Sequence, residues 1–261
     1  MKPSERELIL LPVKRRMQAR LEAFFRRQRR EFMSQFTRIK TTWPIQEREA
    51  PPLTPEQWEQ IFDMIALESV GVIGYDLNQL IEEAMLKAGL FKAGMINISP
   101  SFTLANPAAK EYLQNYGYKL ITKIDDTTRD RIGNIVTSGL ENGESYQKVS
   151  KNIRDMFDGF SEKMPQAHIR NRAELIAVTE TGNAYTEAAL IQSQSLQLAG
   201  LPMEKSWNTV GDDRVSDGCR ENAGVGWIPL DQAFPSGHMR PLRFPGCRCD
   251  LLTRMRMPEG E

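Results

Sequence analysis

Helix punctuation is what most limits the folds open to this chain. Between Thr54 and Gly200 it carries a succession of helix starts, apolar stripes and glycine stops, and after Gly200 that pattern ceases. Thr54-Pro55-Glu56-Gln57 reads as a start: Thr54 caps, Pro55 suits the first helical position, and Gln57 closes a capping box. One helix is expected from residue 55 to about 70 and another over 76–88, stopped by Gly89. Asn106-Pro107 opens a third, with Ala109, Leu113, Tyr116 and Leu120 on one face. Asp126 caps a fourth, which carries Ile132, Ile135, Val136 and Leu140 and ends before Gly143. Ser145 caps a fifth, with Tyr146, Val149, Ile153 and Phe157 as its stripe and Gly159 as its end. Over 165–199 the one breaker is Gly182, and an unbroken helix there would span about 50 Å. Caps, stripes and stops agree with one another, which constrains the chain more than propensity does.

Beyond Gly200 the texture is rich in Gly, Pro, Asp and Trp, with short β-prone runs at 205–210, 226–230 and 248–254. The expected fold is therefore mainly α: a helical body with a basic N-terminal helix and a small C-terminal α+β module. Its parts are a basic amphipathic helical arm over 1–40, a Pro-rich linker over 41–54, the helical body over 55–200, the β-containing module over 201–255 and a frayed tail over 256–261.

The chain is formally neutral, but its charge is uneven. Residues 1–40 hold twelve Lys or Arg against four acidic residues, a net +8, so the rest carries −8. The apolar residues Met17, Leu21, Phe24, Phe25, Phe32 and Phe36 recur at mostly helical spacing, with Arg26, Arg27, Arg29 and Arg30 between them. Such a helix docks on something. Its arginines Arg15, Arg16, Arg20, Arg26, Arg27, Arg29 and Arg30 form either a solvated face or a surface for an acidic partner. No run of about 18 apolar residues is present, so a membrane span is not expected.

Residues able to do chemistry are few. His168 lies on an expected helix and His238 in the loop Ser236-Gly237-His238; neither sits in a nucleophile motif. There is no G-x-S-x-G, P-loop, H-E-x-x-H or dinucleotide glycine pattern, which argues against several common enzyme classes. The odd cysteine count does not suit a secreted disulfide framework and fits a reducing cytosol, where a Cys219–Cys247 bridge is disfavoured. Cys219, Cys247 and Cys249, with His238, could complete a tetrahedral zinc site. The C-x-C spacing argues the other way, because on a strand both sulfurs would point to one side and chelate awkwardly. Small buried hydrophobes are the favoured reading of these cysteines, and no cofactor is expected. Asp212, Asp213, Asp217 and Glu221 do not match the EF-hand pattern; a turn at Asp212-Asp213 and a short helix capped by Asp217 fit better. Glu180, with Arg172 two turns earlier, is expected in an ion pair with Arg214 or Arg248 that joins helix to module.

Several of these residues resemble a known family. The run Arg172-Ala173-Glu174-Leu175-Ile176-Ala177-Val178-Thr179-Glu180 is similar to the "RAE-IA-TE" element of phage Mu F-like head-morphogenesis proteins. Trp207, Asp213-Arg214-Val215 and then Cys219 resemble their "W-x-x-x-x-D-x-R-V" stretch and the His or Cys that follows. The segment from Gly226 through Leu230, Asp231 and Phe234 resembles "G-x-x-x-x-L-D-x-x-F", and Pro245-Gly246-Cys247-Arg248-Cys249 resembles the closing "HP-N-CRC". Phe244 stands where the family often has His, and Gly246 where it has Asn. Upstream the likeness is one of layout, ending in "L-x-x-G-x-S" at Leu140 to Ser145. The resemblance implies a minor structural protein of a phage head and not an enzyme. Such a protein is assembled in the host cytoplasm, lies in the capsid interior near the portal, and supports head assembly, DNA packaging or delivery. Its implied partners are the portal protein, the major capsid or scaffolding protein, and packaged double-stranded DNA. Two other classes stand beside it: a transferase of ADP-ribosyl or nucleotidyl type built on Glu180 and Arg172, and a DNA-binding protein using the basic arm.

Overall fold

Alanines, glycines and hydroxyl residues crowd every side of the segment around Gly182, and such a helix can be buried all round. That segment is the centre of the fold. The computed structural model describes residues 5–38, 55–95, 106–142, 144–158 and 172–256. Its helices are α1 (Glu5–Arg38), α2 (Pro55–Met95), α3 (Pro107–Glu141), α4 (Tyr146–Asp158), α5 (Arg172–Leu198) and α6 (Asp217–Gly224). Strands β1 (Met203–Asn208), β2 (Trp227–Pro229) and β3 (Asp250–Met255) form one antiparallel sheet in the order β2-β1-β3. The fold is mainly helical with a small C-terminal sheet, as the sequence pattern indicates.

Two pairs of expected helices are single helices. α2 runs through Gly89, because Leu77, Ile81, Ala84, Met85 and Ala88 before it and Ala93 after it belong to one buried face. A helical glycine costs only about 1 kcal/mol, which that burial outweighs. α3 likewise runs through Asp126, whose exposed side chain leaves the helix backbone undisturbed. The expected starts at Asn106 and Ser145 are present. Asn106 Oδ1 accepts from the Ala108 N–H at 2.9 Å, and Ser145 Oγ from the Lys148 N–H at 3.3 Å. Asp217 is the first residue of α6, and the cap position belongs to Ser216. The linker at 41–54, the stop at Gly159, the segment 165–171 with His168, and 257–261 lie outside the described residues.

The apolar face of α1 finds its partner inside the chain. Val13, Met17, Leu21, Phe32 and Phe36 are fully buried in one core with Leu77 and Met85 of α2, Val149 and Ile153 of α4, and Ala184 and Tyr185 of α5. A second core lies beneath the sheet, where Trp207, Phe234, Leu251 and the three cysteines meet Ala189 and Leu190 of α5. On β1 the inward residues Met203, Lys205 and Trp207 alternate as a pleated strand requires. Met17→Ala and Leu21→Ala should each cost about 2–5 kcal/mol in chemical denaturation. A loss below about 0.5 kcal/mol would mean that α1 is dispensable to the core.

Candidate functional site

Module and helical body are joined mainly by side chains donating to backbone carbonyls. Arg6 of α1 donates through one guanidinium nitrogen to the carbonyls of Arg248 (2.9 Å) and Cys249. It passes over Gly182, where a Cβ would come within 2.3 Å of its terminal nitrogen. Lys92 of α2, also buried, donates to the Leu251 carbonyl at 2.9 Å and lies 3.5 Å from the Asp250 carboxylate. Both cations face the Tyr185 ring, at 5.7 and 5.2 Å from its centroid. Burial lowers the Lys92 pKa, with Asp250 opposing that shift, and burial is also what raises the Tyr185 phenol.

Further along α5, Thr186 donates to the Pro241 carbonyl at 2.6 Å, and Arg240 binds Glu187 while also donating to Asn183 and Thr186. The clamp expected from Arg214 and Arg248 is built differently. Arg214 is exposed; Arg248 pairs with Asp212 at 2.5 Å, within the module. Asp212 also accepts the Arg214 N–H at 3.2 Å, making the turn read from the sequence. Asp213 and Asp231 are exposed, and Glu174, Thr179 and Glu180 are buried on α5.

The closing Pro-Gly-Cys-Arg-Cys segment is set by a tight turn. The Cys247 N–H bonds the Phe244 carbonyl at 3.1 Å, with Pro245 and Gly246 between them and Gly246 at φ +78°. Proline second and a left-handed residue third make a type II turn. Asparagine, which the resemblance puts at this position, also tolerates that conformation. The Gly246 N–H then donates to Thr179 Oγ1 at 2.8 Å, which fixes the turn on α5.

Around this turn the three cysteines converge. Their sulfurs all lie within 4.8 Å of one another, with Cys219 and Cys247 at 3.9 Å, and all three are buried as free thiols. His238 does not join them: its Nδ1 lies 3.0 Å from both the hydroxyl and the carbonyl of Ser236. Ser236 is in turn held by fully buried Asn222. The Cys247 thiol is drawn down to about 5, first by the Cys249 thiol donating to it and then by the Cys249 and Arg243 amides. As the donor in that pair, and buried, Cys249 is pushed up.

Arg172 and Glu180 do not make a joint site. They lie eight residues apart on α5, about 12 Å along its axis. Arg172 donates to Thr128 Oγ1 at 2.9 Å and stacks on Phe25 at 4.9 Å, fastening the start of α5 to α3 and α1. A cleft of about 330 Å³ between α1 and α5 is lined by Arg6, Lys14, Glu174, Thr181 and Arg248, without that pair. Sequence reading missed Arg6, Lys92, Lys205, Asn222 and Arg240. Their partners are distant in the chain, and nothing local marks them.

Helical body and cysteine-bearing sheet module together form a fastened structural unit. Residues 130–252 match the family model for phage Mu protein F like proteins. That stretch, just under half of the chain, is thus similar to a phage head-morphogenesis family that is not an enzyme family; α1 and α2 lie outside the match. No curated protein and no solved structure matches the chain. Among the described residues no helix is long and apolar enough to cross a membrane.

Gly246→Ala should destabilise the protein by about 1–2 kcal/mol, the cost of a side chain in the left-handed region; an unchanged melting temperature would refute the turn. The Arg248 guanidinium, by hydrogen bond and charge, holds the Asp212 carboxyl below its ordinary range. The stability this adds is present above the unfolded value of about 4 and disappears as pH falls through the folded one. Asp212→Asn should thus lower the melting temperature at neutral pH and lower it far less near pH 3. An equal deficit at both would show that the pair contributes nothing.

Proposed function

We propose that this chain is a minor structural protein of a phage head, placed in the capsid interior near the portal and supporting head assembly, DNA packaging or delivery. The observation that carries this reading is the division of labour on α1. Its apolar face is consumed by the core, while Arg15, Arg16, Arg20, Arg26, Arg27 and Arg30 stay exposed within an arc of about 140° on the opposite side. Arg29 is half-buried at the edge of that arc.

Acidic side chains moderate part of the row. Arg16 meets Glu83 at 2.5 Å, Arg20 meets Asp76 at 3.5 Å, and Arg27 meets Glu31 at 2.6 Å. Arg15, Arg26 and Arg30 point outward between them, and Arg26 is only 4.0 Å from Glu22. A row of this kind suits an acidic surface of the portal, coat or scaffolding protein, or the phosphates of packaged DNA. Enzymatic readings lack a comparable support, because Arg172 is committed to packing.

Removing residues 1–40 would unfold the core, so charge reversal is the informative test. Arg15→Glu, Arg26→Glu and Arg30→Glu combined should leave the melting temperature within a few degrees and reduce incorporation into heads severalfold, read by quantitative immunoblot of purified particles. Normal incorporation would overturn the docking role of this face. Binding of the wild-type protein to duplex DNA should fall steeply with salt if phosphates are the partner; salt-insensitive binding would assign the row to protein instead.

A further inference from the structure

We propose that Cys219, Cys247 and Cys249 are the ligands of a three-thiolate zinc site. Around a tetrahedral zinc ion with bonds of about 2.3 Å, sulfurs lie about 3.8 Å apart. The Cys219–Cys247 separation is already 3.9 Å, and the third sulfur is within 4.8 Å of both. Small rotations of the side chains close the set on one ion. Cysteines that served only as small hydrophobes would have no need to turn three sulfurs toward a common point.

The backbone explains how a C-x-C pair can do this. Strand alternation would have set Cys247 and Cys249 side by side, but neither lies on a strand, since β3 begins at Asp250. Cys247 follows the type II turn at Pro245-Gly246, and that turn carries its sulfur toward Cys249. Cys219 arrives from the first turn of α6, where the helix N-terminus favours a thiolate.

A second observation also points to a ligand. The indole N–H of Trp207, 2% exposed, has no nitrogen or oxygen acceptor and lies against the Cys249 sulfur. Buried donors of this kind are rarely left unsatisfied, and a metal-bound thiolate is a stronger acceptor than a thiol. The backbone N–H groups of Cys249 and Arg243 are directed at the Cys247 sulfur. Such donors to ligand sulfurs are the outer contacts a metal-thiolate site uses.

Charge closes as well. Three thiolates and Zn²⁺ leave one negative charge in a buried place, which needs a cation. The Arg243 guanidinium lies over Gly218, next to Cys219, where a Cβ would sit 2.9 Å from its central carbon. Among the described residues no fourth His, Cys, Asp or Glu joins the three sulfurs. The fourth position is thus left to water or a small anion.

The test uses the full-length protein, purified under reducing, oxygen-free conditions and titrated with Co²⁺, then with Zn²⁺. One equivalent of cobalt should bind with a sulfur-to-metal charge-transfer band, and one equivalent of zinc should bleach it. Trp207→Phe should weaken zinc binding by about 10–100-fold, as loss of an outer donor does. Absence of the charge-transfer band in folded, reduced wild-type protein would overturn the proposal, whatever the variants do. So would a band that survives intact in Cys247→Ser.

Discussion

Helix α5 has to be buried on two sides at once, and the architecture follows from that requirement. One side, with Ala173, Ala177, Ala184, Tyr185 and Ala188, closes the helical core; the other, with Ala189 and Leu190, closes the core beneath the sheet. Small residues make this possible because neighbouring backbones can approach closely. Gly182 is the extreme case, leaving room for Arg6 and Leu242 where a Cβ would collide. Neither core is complete without α5, so the boundary at Gly200 separates two textures of sequence and not two independent folding units.

The polar contacts that hold the C-terminal module repeat one device. Arg6, Lys92 and Lys205 are buried cations whose partners are chiefly backbone carbonyls: those of 248 and 249, of 251, and of 230 and 239. The closing segment has few ladder hydrogen bonds, since β2 has three residues and much of 209–249 is irregular. Its carbonyls would be left orphaned in a small core. Long cationic side chains reach in and satisfy them. Burial lowers the Lys205 pKa to about 8, so its ammonium form is held at neutral pH by those carbonyls against a desolvation cost.

Features encoded by neighbouring residues were legible in the sequence. The caps at Asn106 and Ser145, the turn at Asp212, the places of the three strands and the helical nature of the body all rest on local chemistry. The reading failed where tertiary packing outweighed a local signal: Gly89 and Asp126 look like a helix stop and start, yet α2 and α3 pass through both. It also failed where a residue type misleads. Arg6 belongs by composition to a basic surface but is buried, and His238, the natural fourth ligand for the cysteines, is engaged by Ser236. The strand expected from residue 248 begins at Asp250, so neither Cys247 nor Cys249 is bound to strand alternation, and their sulfurs lie near one another.

Arg6 also connects α1 to the end of the closing module. It sits on the same helix as the outward arginine row, and it holds the carbonyls of Arg248 and Cys249, the stretch that carries two of the three sulfurs. The Thr179 hydroxyl and the Lys92 ammonium fix the same stretch from α5 and α2. The arginine face thus belongs to a helix pinned to the closing turn, and not to a detachable tail. Stiffness of that turn is what makes the pin effective. A metal ion at the sulfurs would stiffen a stretch of the module that helix and strand hydrogen bonds leave irregular, at the point where α1 is fastened to it.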